Sequence, residues 1–63
     1  MREIIRLVSE GYVDKQIADK LNMSQRGVRF NLQVMYEVTG VQCGEGSRVR
    51  LVVWAIKHGI IHV

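Results

Sequence analysis

Two apolar stripes separated by a polar break constrain the fold of this chain more than any other feature. The segment 14–35 reads DKQIADKLNMSQRGVRFNLQVM. Its apolar residues form two sets with the spacing of a helix face. These sets are Ile17, Ala18, Leu21 and Val28, Leu32, Met35. Asn22 lies in the break and tolerates a positive φ, and Ser24 is suited to N-cap the second helix. The segment therefore predicts two helices joined by a tight turn.

A further helix is predicted on each side of this pair. Ile4, Ile5, Leu7 and Val8 lie at helical spacing. Gly11 is expected to end that first helix, and Asp14 to cap the second. Three glycines between positions 40 and 46 predict a loop. Ser47 is then expected to cap a fourth helix, which ends at Gly59. Its predicted inward residues are Val49, Val52, Ala55 and Ile56. We therefore predict an all-α fold class, with residues 1–63 as one domain.

The charge of the chain is concentrated in one place. Nine Lys and Arg residues against six Asp and Glu give a net charge of +3. Lys20, Arg26 and Arg29 supply a charge of +3, and no acidic residue lies between Lys20 and Tyr36. The remaining basic and acidic residues balance. A local excess of positive charge favours an anionic partner such as nucleic acid, although a solvated surface is the ordinary alternative.

Composition excludes several classes of protein. No apolar run is long enough to span a membrane, and the N-terminus does not resemble a signal peptide, so a cytoplasmic location is expected. The lone Cys43 allows no internal disulfide and has no metal-ligand spacing. His58 and His62 are four residues apart, but a helix end explains them better than a metal. Without a catalytic motif, we expect no enzyme, no metal, no cofactor and no small-molecule substrate.

Four pieces of the chain together resemble a known family. They are REIIRLVSEG, KQIADKLNMSQRGVR, GV at 40–41, and SRVRLVVWAIKHGII. Their order and most of their spacings are similar to those of the LuxR/GerE-type helix-turn-helix. This DNA-binding effector domain is also found in NarL/FixJ-type response regulators. The resemblance covers residues 2–61 and implies a four-helix LuxR/GerE-like fold, in which the third helix (about 24–38) enters the major groove and the fourth contacts a second protomer.

The resemblance also implies roles for individual residues. The positions that face the bases are Arg29, Phe30 and Gln33. The positions that meet phosphates are Lys15, Ser24, Arg26 and Arg48. Val53 and Trp54 match the exposed, dimer-forming face of the fourth helix, and helical spacing adds Arg50 and Lys57 to that face.

Each of these roles has a plainer alternative. Arg29 matches the acceptors of guanine but could only grip a phosphate, and Gln33 suits adenine but could be a solvated residue. Phe30 could touch a thymine methyl group or fold back into the core. Trp54 could form an apolar dimer patch with Val53 or belong to the core.

We predict a transcriptional regulator that binds specific double-stranded DNA as a homodimer on an inverted or direct repeat. The first alternative is a protein-interaction module that uses the helix-turn-helix as a scaffold, for example to dock on RNA polymerase. The second is a phage-type DNA-binding accessory protein with little sequence preference.

Overall fold

The computed structural model describes residues 2–62, which contain four α-helices. They are α1 (Arg2–Ser9), α2 (Asp14–Leu21), α3 (Gln25–Thr39) and α4 (Ser47–Lys57). Helix α2 packs mainly on α3, and α1 mainly on α4. The buried apolar side chains come from all four helices and the C-terminal segment. They are Ile4, Ile5, Leu7, Ile17, Ala18, Val28, Leu32, Met35, Leu51, Ala55 and Ile61. The prediction of four helices is confirmed.

The turn between α2 and α3 has the predicted geometry. Asn22 is left-handed, with φ of 54°, and its N–H donates to the Ala18 carbonyl. The Met23 N–H donates to the same carbonyl at 2.9 Å. Ser24 is the N-cap of α3, and its Oγ accepts the Gly27 N–H at 2.9 Å. These interactions satisfy backbone groups at both helix ends and fix the direction in which α3 leaves α2.

The predicted caps of α2 and α4 are wrong. The N-cap of α2 is Val13, whose N–H donates to Gln16 Oε1 at 3.0 Å, and Asp14 is the first residue of the helix. The N-cap of α4 is Gly46. Ser47 lies inside the helix and is buried, and its Oγ donates to Tyr36 Oη at 3.4 Å. Asp14 accepts hydrogen bonds from Arg29 and Arg48. Both polar side chains therefore make tertiary contacts and cap neither helix.

The predicted inner face of α4 is partly wrong. Ala55 is fully buried, and Val52 is half-buried against the core, as expected. Val49 and Ile56, however, are 66% and 38% exposed, and Leu51 is fully buried in their place. Helix α4 is apolar on more than one side, so two faces have acceptable helical spacing. The face that packs carries Ser47, Leu51 and Ala55, where small residues flank one leucine and allow close approach.

The remaining segments follow the predicted breaks. Gly11, with φ of 93°, lies just after α1, and residues 40–46 connect α3 to α4 without helix. After α4, the Ile60 N–H donates to the Ala55 carbonyl at 2.9 Å, and Ile61 returns to the core. None of the helices within residues 2–62 combines the length and apolarity needed to cross a membrane.

Candidate nucleic-acid interface

The polar face of α3 is accessible to solvent. Arg26, Arg29, Phe30 and Gln33 are all exposed and lie opposite the buried stripe of the same helix. Phe30 is 67% exposed, so the alternative in which it folds back into the core is wrong. A large apolar ring on such a surface is stabilised when a partner covers it. The exposed face thus combines two guanidinium groups, an amide and an aromatic ring.

Asp14 connects this face to two other helices. Its Oδ2 accepts the Arg29 Nε–H at 3.3 Å, and its Oδ1 accepts a hydrogen bond from Arg48 Nη2. The Asp14 side chain is only 16% exposed, whereas that of Arg29 is 71% exposed. One carboxylate at the start of α2 therefore holds arginines from α3 and α4. Because the bond to Arg29 uses Nε, the terminal edge of its guanidinium extends away from the carboxylate.

The two arginines control the ionisation of Asp14. Burial raises the pKa of Asp14, but the hydrogen bond and charge of Arg48, followed by those of Arg29, outweigh it. The pKa therefore lies below its ordinary value. Asp14 is thus an anion at neutral pH and compensates part of the positive charge around it.

A groove brings some of the predicted residues together. Lys15, Arg29 and Arg48 line it together with Asp14, and Val49 and Val53 of α4 form part of its apolar wall. Phe30, Gln33 and Arg26 are not among its lining residues, and they lie on the α3 face described above. The predicted phosphate-binding residues are therefore divided between two adjoining regions.

The N-terminus of α3 supplies a second feature of the interface. Ser24 is exposed, and its Oγ is engaged by the Gly27 N–H. Arg26 lies in the first turn of α3, which contains no acidic residue. The partial positive charge of a helix N-terminus and a nearby arginine together favour an anion at this end of α3.

The loop before α4 contacts the exposed face of α3 at Gln33. The Cys43 thiol donates to Gln33 Oε1 at 3.5 Å, and both side chains are exposed. The sequence did not indicate this contact. It places the Gln33 amide next to the 40–46 loop while leaving its NH2 group available.

The predicted dimer residues on α4 do not share one environment. Trp54 is half-buried against the core, and its ring stacks on His58 with centroids 4.0 Å apart. Val53 is 42% exposed, and Arg50 and Lys57 are exposed, with Arg50 Nη2 donating to the Glu45 carbonyl at 2.6 Å. Much of the Trp54 side chain therefore packs against the core, as in the alternative to a dimer role.

A different apolar stripe on α4 is exposed. It consists of Val49, Val53 and Ile56, at positions i, i+4 and i+7. This stripe contains two of the residues that were predicted to face inward. We call it the α4 stripe.

Within residues 2–62, no three His, Cys, Asp or Glu side chains are grouped in a way that could hold a metal ion. His58 lies at the C-cap of α4, where its Nδ1 is 2.8 Å from the Trp54 carbonyl oxygen. The predicted helix-end position of His58 is confirmed.

Asp14 is the residue of this region that sequence reasoning missed. Its position predicts a helix cap, and the segment 21–35 contains no acidic residue. In space, a carboxylate lies against Arg29 even though 15 positions separate them in the chain. An acidic residue at the start of α2 was the available signal, but its partners depend on the packing of three helices.

Three curated proteins are similar to the chain. They carry the name "Putative HTH-type transcriptional regulator" and come from Mycobacterium bovis and two strains of Mycobacterium tuberculosis. Each is 41% identical over 58 residues, which are 92% of this chain and 6% of the relative. The chain therefore spans a small part of the length of these relatives. No protein-family model matches it. No solved structure matches it either.

The match and the geometry agree. The similar region includes two helices joined by a three-residue turn, and the relatives are named for a helix-turn-helix. The chain contains a helix-turn-helix.

Proposed function

We propose that this chain binds double-stranded DNA as the helix-turn-helix part of a transcriptional regulator. The observation that carries the proposal is the exposed face of α3, with Arg26, Arg29, Phe30 and Gln33 beside the N-terminus of the helix. A helix presented in this way fits the major groove, where arginine and glutamine match the acceptors and donors of the base edges. The names of the similar mycobacterial proteins support the same role, and regulators of this kind are not enzymes.

Within this proposal, the residues have distinct roles. Arg29 and Gln33 read base edges, and Phe30 contacts a thymine methyl group. Lys15, Ser24, Arg26 and Arg48 meet phosphates, which makes binding depend steeply on salt. The four sequence segments within residues 2–61 that resemble the LuxR/GerE type, each lying on or beside one of the four helices, support assignment to that type. A cytoplasmic location belongs to the same proposal, because the proposed ligand is double-stranded DNA.

Selection of bound duplexes from a random pool tests the function directly. We expect an enriched half-site, and weaker binding to it for Arg29→Ala and Gln33→Ala by about 1–3 kcal/mol each. Arg6→Ala on α1 removes the same charge as Arg29→Ala and should have a much smaller effect. Equal binding by Arg29→Ala and wild type would contradict the base-reading role. Binding without an enriched site would favour the accessory-protein alternative.

We also propose that the DNA-binding form is a homodimer that associates through α4. The support is the α4 stripe, which leaves three neighbouring aliphatic side chains exposed on one helix. Val53 is central to it, Arg50 and Lys57 form its polar edge, and Trp54 contributes its exposed part. Sedimentation should show that Val53→Glu is monomeric at concentrations where wild type is dimeric. Val38→Glu, at a 78% exposed valine of α3, is the matched control. A monomeric wild type would overturn the dimer.

The exposed apolar side chains of α3 support one competing function, docking on a protein such as RNA polymerase. Phe30 and Val38 are 67% and 78% exposed. A titration with random duplex at increasing salt distinguishes the two functions. A DNA-binding domain loses affinity steeply with salt, whereas a protein-interaction module shows little affinity for the duplex at any salt concentration.

A further inference from the structure

Asp14 is the acidic residue among the charged side chains that line the groove, and the others are Lys15, Arg29 and Arg48. Asp14 is largely buried and accepts hydrogen bonds from Arg29 and Arg48, which come from different helices. A carboxylate in such a place opposes the approach of phosphates, so it weakens the general affinity for polyanions. Within the protein, Asp14 acts on the two arginines whose hydrogen bonds it accepts.

The hydrogen bond from Arg29 to Asp14 restricts the orientation of the Arg29 guanidinium. An arginine has two edges that can make paired hydrogen bonds, and free rotation of its long side chain allows many orientations. Asp14 occupies Nε at 3.3 Å, so the terminal nitrogens remain as the outward edge. The side chain is nevertheless 71% exposed and accessible to a ligand. An arginine held in this way loses less conformational entropy when it pairs with a guanine.

Arg48 is affected differently. Its side chain is 40% exposed, and its guanidinium is bonded to the other oxygen of the same carboxylate. A phosphate that contacts Arg48 must compete with Asp14 for the same charge. Asp14 thus orients Arg29 and reduces the attraction of Arg48 for any phosphate backbone.

We propose that Asp14 is a positioning residue that raises the discrimination between specific and random DNA. It does so by holding the outward edge of Arg29 ready for a base and by weakening phosphate contacts that carry no sequence information. This inference rests on the proposed function, because it assigns the source of specificity within the same interface.

The test compares Asp14→Asn with Asp19→Asn. Asp19 is an exposed acid on the same helix, so both variants change the net charge equally. Affinities are measured for the selected site and for a random duplex over a range of salt concentrations. For Asp14→Asn, we expect tighter binding of the random duplex and a log–log salt slope steeper by about one to two units. The ratio of specific to random affinity should fall about three- to tenfold, which corresponds to freeing one long side chain.

Two further measurements separate orientation from charge and from folding. Asp14→Glu keeps the negative charge and should bind the random duplex much as wild type does. Without DNA, the Nε–Hε signal of Arg29 in a nitrogen-15 spectrum should move toward the position of a free arginine in Asp14→Asn and remain in place in Asp19→Asn. The backbone signals of the same spectrum report whether each variant is folded.

The outcomes are distinguishable. Equal effects of Asp14→Asn and Asp19→Asn on the affinity ratio, or an unchanged Arg29 signal in Asp14→Asn, would overturn this inference alone. Wild type that binds neither duplex at low salt would overturn both this inference and the proposed function.

Discussion

The Arg29 Nε–H donates to Asp14 Oδ2 at 3.3 Å, and this bond joins the exposed face of α3 to the first residue of α2. Together with the bond from Arg48, it links the helix-turn-helix to α4 at the surface. The Asp14 carboxylate should therefore affect both the free energy of unfolding and the proposed DNA binding. Unfolding and binding experiments measure these two effects separately.

The stability of the protein should depend on the ionisation of Asp14. Because its pKa is lower in the folded than in the unfolded chain, the anion stabilises the fold above the unfolded pKa of about 4, and this contribution is lost as the pH falls through the folded value. Urea unfolding of wild type and Asp14→Asn should therefore show a constant difference between about pH 5 and 7, and a smaller one below about pH 4. If the difference in unfolding free energy between wild type and Asp14→Asn grew as the pH fell, the ion pairs of Asp14 would not stabilise the fold.

Leu51 should be far more important for stability than Val49. Leu51 is fully buried, whereas Val49 is 66% exposed. Leu51→Ala should lower the free energy of unfolding by about 2–5 kcal/mol, because it removes buried methyl groups and leaves a cavity. Val49→Ala should change it by less than about 0.5 kcal/mol. Chemical denaturation of both variants checks the orientation of α4, and the reverse ranking would show that the opposite face is buried.

The cap of α3 should be measurable by removing one hydroxyl group. Ser24→Ala deletes the acceptor of the Gly27 N–H and should cost about 1 kcal/mol of stability. Ser24→Thr should restore most of it. Ser9→Ala is the control, because Ser9 ends α1 and its exposed hydroxyl donates to the Arg6 carbonyl, so its loss should have little effect. Thermal denaturation of the three variants is sufficient, and equal midpoints for Ser24→Ala and wild type would contradict the cap.

Two glycines should respond to alanine with opposite signs. Gly27 lies in α3, where an added Cβ would meet Ser24 Oγ at 3.2 Å and the flexible end of Met23 at 3.4 Å. The contact with Met23 is at an ordinary van der Waals distance, so only the Ser24 hydroxyl must shift, by a few tenths of an ångström. With that shift, Gly27→Ala should stabilise the protein by about 0.5–1 kcal/mol through helix propensity. Gly40 has φ of 77°, and Gly40→Ala should destabilise it by about 1 kcal/mol. Destabilisation by Gly27→Ala would show that the contact with Ser24 cannot relax.

For Phe30 on α3, the sequence allows two positions, on the exposed face or in the core. Helical spacing places Phe30 outside the stripe formed by Val28 and Leu32, but its side chain could still fold back into a small core. Its exposure excludes that alternative. The sequence therefore located the face of α3, while the packed structure decided whether each side chain on that face was free.

By itself, the sequence determined the elements whose causes are local. The positions of the four helices follow from apolar spacing, the turn from the tolerance of Asn22 for a positive φ, and the start of α3 from Ser24. Only the tertiary structure decided which face of α4 is buried and which arginines Asp14 holds. Helix α4 is apolar on two sides, and contact with α1 and α3 selects the side of Leu51 and Ala55. The Asp14 cluster joins residues 15 and 34 positions apart, so it exists only when α2, α3 and α4 are packed together.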